Sequence, residues 1–320
     1  MAADIHLKQA FSHISGSIYG LAGYCSDNDS TQHVVAATDN GDLYEIHWNS
    51  NVSPTSPQWL EHFDRIASLC GFYSSNDTVQ HVIVATRDGH LHELYIMQPL
   101  PQDVYKRSPL YNLGTTLGPG IGMAGFFSSD GDNLRHATVG SKEVNTDNIL
   151  HEIVWNAQVH PSARNLASQF TLRDVAGIAG FFDLDVHSRD VIVAMIGGDV
   201  YDVRYSGGIL GGEQITTVRV TTFSPTLDNV AAFVNTDTKV AHVIVLDKSW
   251  QLYDYTYSPH HEGLGQMTPL KNIANLLPPG PPGTRGIKDI VAYYSHYDRT
   301  CHVIVATSDR NLHEIYYYGQ

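Results

Sequence analysis

One stretch recurs through the chain and decides what it can fold into. It reads His81-Val82-Ile83-Val84-Ala85-Thr86-Arg87-Asp88-Gly89-His90-Leu91-His92-Glu93-Leu94-Tyr95. It returns near the C-terminus as His302-Val303-Ile304-Val305-Ala306-Thr307 followed by Leu312-His313-Glu314-Ile315-Tyr316, and it opens the chain as His33-Val34-Val35-Ala36-Ala37-Thr38 followed by Leu43-Tyr44-Glu45-Ile46. Six copies can be read, each led by a small-residue and aromatic segment centred on Gly23, Gly71, Gly125, Gly180, Ala232 and Ala292. A spacing of roughly 50 residues with several strand-like runs per copy is the range of propeller repeats. No copy carries the 3.6-residue apolar period of a helix.

Within a copy, strand one is the Ala-Gly-Phe segment and strand two is the continuous apolar run Val82 to Ala85, a pattern that predicts burial on both faces. Asp88-Gly89 suits a two-residue type I′ turn, in which both central residues need φ > 0. That turn would set Val84 opposite Glu93 and His81 opposite Ile96. His81 and Glu93 would then face opposite sides of their blade, with no pairing inside it. Fourth strands are expected in the longer connections, for example Gln169–Leu172 and Ile215–Val220. Blade one is read as ending at Trp48, with a connection from Asn49 to Ser56 and blade two running from about Trp59 to Met97. Blade three replaces the tight turn by the loop Val139–Asn148, and blade four puts Asp190 where the histidine stands elsewhere. The last copy stops after strand three, while Ile5–Phe11 precedes the first copy without a blade of its own. The expected fold is therefore all-β: one domain over residues 1–320, a six-bladed β-propeller with four-stranded blades. Its ring would be closed by the N-terminal strand completing the last blade, which also protects strand edges.

The unit Ala-Gly-Phe-Phe, His-Val-Ile-Val-Ala-Thr, Asp-Gly, Leu-His-Glu-Ile-Tyr resembles the repeats of fungal and bacterial propeller lectins, over essentially the whole chain. The resemblance implies non-catalytic recognition of carbohydrate or another small ligand at several similar sites between blades.

Charge narrows the partners. The chain has 19 basic and 33 acidic residues, a net charge of −14. Nucleic-acid binding needs clustered Lys and Arg, and anionic lipid surfaces attract basic segments, so neither is expected. No apolar run reaches the roughly 18 residues of a membrane helix. The start, Met1-Ala2-Ala3-Asp4-Ile5-His6, lacks the basic-then-apolar pattern of a cleavable signal. A cytoplasmic protein, or one exported without a signal peptide, is expected. On that reading the Asn-x-Ser/Thr triplets at Asn28, Asn51 and Asn76 carry little meaning, and Cys25, Cys70 and Cys301 are small core residues rather than a disulfide framework.

Two polar positions recur: His33, His81, His136, His242 and His302 on strand two, and Glu45, Glu93, Glu152, Asp202, Asp254 and Glu314 on strand three. A catalytic group need appear only once, so recurrence favours a structural role in which buried polar groups satisfy one another. An aromatic three residues after the acid, Trp48, Trp155, Tyr205, Tyr257 or Tyr317, could stack on sugar rings or pack between blades. Residues just before the acid, among them His92, His151 and His313, complete the ligand-binding candidates. No local metal motif occurs despite 18 histidines, and His260-His261-Glu262 reads as a solvated cluster. No metal or cofactor is expected, apart from an ion held jointly by several blades, which would leave no local motif. No catalytic motif is present, and Gly118–Gly125 lacks the helix a phosphate-binding loop requires. An enzyme, a lyase or hydrolase at the channel mouth, would use Ser68, Asn229 and Asp289, which break the repeat at the start of strand one. A protein-interaction scaffold is the third reading.

Overall fold

A computed structural model describes residues 6–11, 14–26, 30–49, 53–74, 77–97, 106–117, 122–128, 134–142, 148–165, 174–183, 187–206, 214–258, 265–273 and 286–318. Asn28, Asn51, Asn76, the cluster at 260–262 and the expected strand at 169–172 lie outside the described residues.

Strand β1 (His6–Phe11) precedes the first blade, formed by β2 (Ile18–Ser26), β3 (Thr31–Thr38), β4 (Asp42–Trp48) and β5 (Gln58–His62). Blade two comprises β6 (Ile66–Ser74), β7 (Val79–Thr86), β8 (His90–Met97) and β9 (Lys106–Asn112). Blade three has β10 (Met123–Ser128), β11 (Leu134–Lys142), β12 (Asn148–Trp155) and β13 (Ser162–Asn165). Blade four has β14 (Val175–Asp183), β15 (Ser188–Met195), β16 (Asp199–Ser206) and β17 (Gln214–Thr222). Blade five has β18 (Leu227–Asn235), β19 (Val240–Asp247), β20 (Gln251–Tyr257) and β21 (Gln266–Asn272). The sixth has β22 (Ile287–Ser295), β23 (Thr300–Thr307) and β24 (Leu312–Tyr318), with β1 as its fourth strand, antiparallel to β24. These six antiparallel sheets are the blades of a β-propeller, and no helix occurs among the described residues.

Two boundaries differ from the sequence reading. Trp59 belongs to the last strand of blade one, not the first of blade two, and the fourth strand of blade three is Ser162–Asn165. Fourth strands are polar and mostly exposed, so their apolar pattern is too weak to mark them.

The chain divides into two compact units, one of residues 1–64 and 225–320, the other of residues 65–224. In the first, blades one, five and six build two apolar clusters. Ile14, Ile18, Val34, Ile46 and Trp48 meet Tyr293 and Ile304 in one; Phe233, Ile244 and Leu252 meet Ile290, Val303 and Tyr317 in the other. In the second unit, Phe72, Ile83 and Leu91 of blade two pack on Met123, Val139 and Trp155 of blade three, and Phe126 on Val191, Val203 and Tyr205 of blade four. Strand two is buried along its whole length in blades one, two and six, as its unbroken apolar run requires. Cys70 and Cys301 are buried and Cys25 is partly so, and no disulfide joins them.

Small strand-one residues let sheets approach. A Cβ on Gly125 would lie 2.5 Å from Cys70 Sγ of the adjacent blade, so only glycine fits without a shift.

Candidate functional site

The turn after strand two fixes which side chains meet, and it differs from the two-residue form. Gly89 N–H donates to Thr86 C=O, Gly89 has φ of 87°, and Ala85 pairs with Leu91. This is a three-residue loop, a type I turn followed by a left-handed residue. Gly41 and Gly198 repeat it, while Trp250 and Arg310 hold the same place at φ of 63° and 70°. Thr86 Oγ1 bonds Asp88 and the His90 carbonyl, so the recurring Thr-x-Asp/Asn-Gly is the signal of this loop.

The added residue moves the register by one, which turns every side chain to the other face. His81 pairs with Tyr95 and Ile83 with Glu93, so His81 and Glu93 share a face. The expectation that they point apart is thereby corrected: His81 Nδ1 lies 2.9 Å from Glu93 Oε1. The pair recurs as His33–Glu45 at 2.9 Å, His136–Glu152 at 2.9 Å, His242–Asp254 at 2.8 Å and His302–Glu314 at 2.7 Å. Each imidazole stacks on the strand-one ring of its own blade, Tyr24, Phe72, Phe126, Phe233 or Tyr293, at 4.8–5.4 Å. All ten members are buried, as paired polar groups in a core can be. Burial alone would lower the affinity of His302 for a proton, but hydrogen bonds to Asp298 and Glu314 prevail and raise it.

Neighbouring blades reach the same carboxylates. Within the second unit Trp155 Nε1 of blade three donates to Glu93 Oε1 of blade two at 3.1 Å, and Arg135 Nη1 lies 3.4 Å from the same oxygen. Within the first unit Tyr317 Oη of blade six donates to Asp254 Oδ2 of blade five at 2.9 Å. The aromatics three residues after the acid thus lie inside the protein: Trp48, Trp155, Tyr205 and Tyr317 are 0–3% exposed and Tyr257 is partly buried.

Blade four solves the same problem with other residues. Arg204 sits opposite Asp190, as His47, Tyr95, Val154, Thr256 and Tyr316 sit opposite the histidines. Its Nε lies 2.8 Å from Asp190 and its Nη2 2.8 Å from Asp202. Burial raises both carboxyls above the ordinary range; Asp190 pushes Asp202 further up, and Arg204 opposes both shifts.

Residues one before the acid turn to the other face. Tyr44, His92, His151, Tyr201, Tyr253 and His313 are all partly exposed. In blades one, two, four, five and six a β-bulge in strand four lies beside this residue, a device that re-aims side chains. His92 is held below the usual histidine range by burial and by the nearby Arg107 charge, and His313 by burial. Both are neutral at pH 7; His92 Nδ1 and His313 Nε2 are buried, which leaves the other ring nitrogen of each to donate or accept. In blade one Tyr44 pairs with Trp59, whose ring is 54% exposed and whose Nε1 lies 3.4 Å from Asp42 Oδ1. His62 Nδ1 lies 3.0 Å from that oxygen. Trp59, Asp42 and His62 were not singled out by the repeat, because an exposed aromatic in one fourth strand breaks the pattern rather than making it.

Among the strand-one candidates, Asn229 and Asp289 meet, while Ser68, opposite Ala85, belongs to the other unit. Asp289 Oδ1 accepts from Asn229 Nδ2 at 2.7 Å and from the Ile290 N–H at 2.8 Å, and Oδ2 accepts from the Leu21 N–H at 2.6 Å. One carboxyl so ties blades five, six and one. Burial outweighs these donors and raises its pKa to about 6. The folded state then binds a proton that the unfolded chain has released, so stability falls as pH rises from about 4 to 6. Above pH 6 the cost of ionisation reaches about 3 kcal/mol. Asp289→Asn is expected to flatten that segment of a urea-midpoint-against-pH profile; an unchanged slope would refute the assignment.

Among the described residues one cluster has metal-ligating composition: His33, Glu45 and His47 of blade one each offer an atom within 4.8 Å of the others'.

No protein-family model matches the chain. No curated protein matches it either. Solved structures do match in fold. A triple mutant of AofleA from Arthrobotrys oligospora superposes with a TM-score of 0.65 at 14% identity, covering 99% of this chain and 88% of that one. A mutant of the Aleuria aurantia lectin in complex with α-methyl-L-fucoside gives 0.66 at 13% identity, covering 96% and 92%. A lectin from Burkholderia pseudomallei gives 0.58 at 14% identity, covering 96% and 99%. No helix among the described residues is long and apolar enough to cross a membrane.

Proposed function

We propose that this protein is a carbohydrate-binding propeller that acts without catalysis, at sites repeated with the blades. The observation that carries the reading is the partly exposed residue before each acid: tyrosine or histidine in all six blades, beside a strand-four bulge in five of them. Aromatic faces stack on the apolar faces of sugars, and neutral imidazoles such as His92 and His313 can each serve a hydroxyl as donor or acceptor through the ring nitrogen that is not buried. His151, Tyr201 and Tyr253 supply the corresponding groups. The blade-one version is the most complete, with Tyr44, the open Trp59 ring, and Asp42 and His62 as polar partners. The buried aromatics Trp48, Trp155, Tyr205 and Tyr317, with the half-buried Tyr257, support these sites from within the blades. The fold likeness to a lectin solved with a fucoside supports a sugar as the ligand class. Several weak sites on one molecule gain avidity on a multivalent surface.

A glycan array probed with the purified protein and with Trp59→Ala tests this. Binding of a defined glycan set, weakened by the variant while its melting temperature holds, is the expected result. Absence of binding to every glycan would overturn the reading.

A further inference from the structure

We infer that blade one holds a site for a divalent transition ion of zinc type, formed by His33, Glu45 and His47. The inference is independent of the carbohydrate reading. It starts from the position opposite the strand-two histidine, where the blades differ most in chemistry: His47, Tyr95, Val154, Arg204, Thr256 and Tyr316 in order. Only blade one adds a second imidazole to the His–carboxylate pair.

The strands pre-arrange the three groups. His33 and His47 are direct cross-strand partners on one face, with rings 5.7 Å apart, and Glu45 is the diagonal neighbour, 2.9 Å from His33 Nδ1. Tyr24 stacks on the far side of the His33 ring at 5.1 Å and 8°, fixing its plane. The His47 backbone is held by Thr55, whose N–H donates to its carbonyl at 3.0 Å and whose Oγ1 accepts from its N–H at 3.2 Å. His33 and Glu45 are buried, whereas His47 is partly exposed and leaves a side of the cluster open to solvent.

Two imidazoles and one carboxylate are a donor set for zinc, with a fourth position open to water, and a poor one for calcium or magnesium, which need more oxygens. Blade four shows that this place in a blade accommodates positive charge: the Arg204 guanidinium stands there between two buried carboxylates.

The test uses full-length protein dialysed against a chelator and titrated with zinc chloride by calorimetry, with His47→Thr, the blade-five residue, as the variant. His47→Gln serves as a second replacement should threonine disturb the strand. The wild type is expected to take one ion per chain at this site and to melt higher with zinc. The variants should melt like the wild type in chelator and bind roughly 100-fold more weakly, the scale of losing one ligand or its support. Calcium chloride should give no shift, and cobalt(II) should give the visible absorption of a four-coordinate ion in the wild type alone. Equal zinc binding by wild type and both variants, or no zinc-dependent shift in the wild type, would overturn the proposal.

Discussion

Glu93→Ala is expected to cost the fold about 3–5 kcal/mol, the scale for removing one partner of a buried charged network. Glu93 Oε1 is met by His81 Nδ1 at 2.9 Å, Trp155 Nε1 at 3.1 Å and Arg135 Nη1 at 3.4 Å, so one truncation strips groups from two blades. The Trp155 N–H is left buried without its acceptor, a further loss of the kind that costs about 1–3 kcal/mol per group. Arg135 keeps Asp77, so its charge is not stranded. Urea midpoints of wild type, Glu93→Ala and Trp155→Phe measure this. The tryptophan variant, which removes the donor and trims a buried ring but leaves the carboxylate with His81 and Arg135, should lose less than the alanine variant. A midpoint for Glu93→Ala close to wild type would mean that the carboxylate does not hold blades two and three together.

The second large effect is a coupling. Arg204→Thr alone leaves Asp190 and Asp202 buried beside each other without their cation, and a loss of about 3–5 kcal/mol is expected at pH 7. The loss should grow as pH rises, because both carboxyls already sit above the ordinary range and without Arg204 must ionise against burial and each other. Asp190→His alone sets an imidazole against the guanidinium. The double variant recreates the arrangement of blade five, where His242 pairs with Asp254 and Thr256 stands opposite. It should recover most of the stability, with a coupling energy at the upper end of the roughly 0.5–3 kcal/mol seen for contacting residues. Additive losses in the double-mutant cycle would contradict the view that blade four rebuilds one recurrent polar core with different residues.

Much of this was legible in the sequence. The recurrence from His33, His81 and His302 specified the blades, and the unpaired segment before blade one specified the strand that completes blade six. The misreading of which side chains meet turned on one residue. Asp88-Gly89 fits a two-residue turn, but Thr86 and Asp88 bond each other and hold Gly89 as the left-handed residue of a three-residue loop. With a period of two, that single shift brings His81 onto Glu93 rather than away from it. Recurrence marked the histidines and acids as structural; it did not show that Trp155 and Tyr317 serve the carboxylates of the preceding blades, because such contacts cross about 60 residues. Fourth strands were the least legible element. They are polar and mostly exposed, and Trp59 was attached to the wrong blade for that reason.

The most direct measurement of the central claim is calorimetric titration of the full-length protein with the best glycan from an array, repeated in chelator. A stoichiometry above one glycan per chain, retained in chelator and reduced in Trp59→Ala, is the result predicted for sites that repeat with the blades. No heat of binding, or a single site untouched by Trp59→Ala, would contradict it.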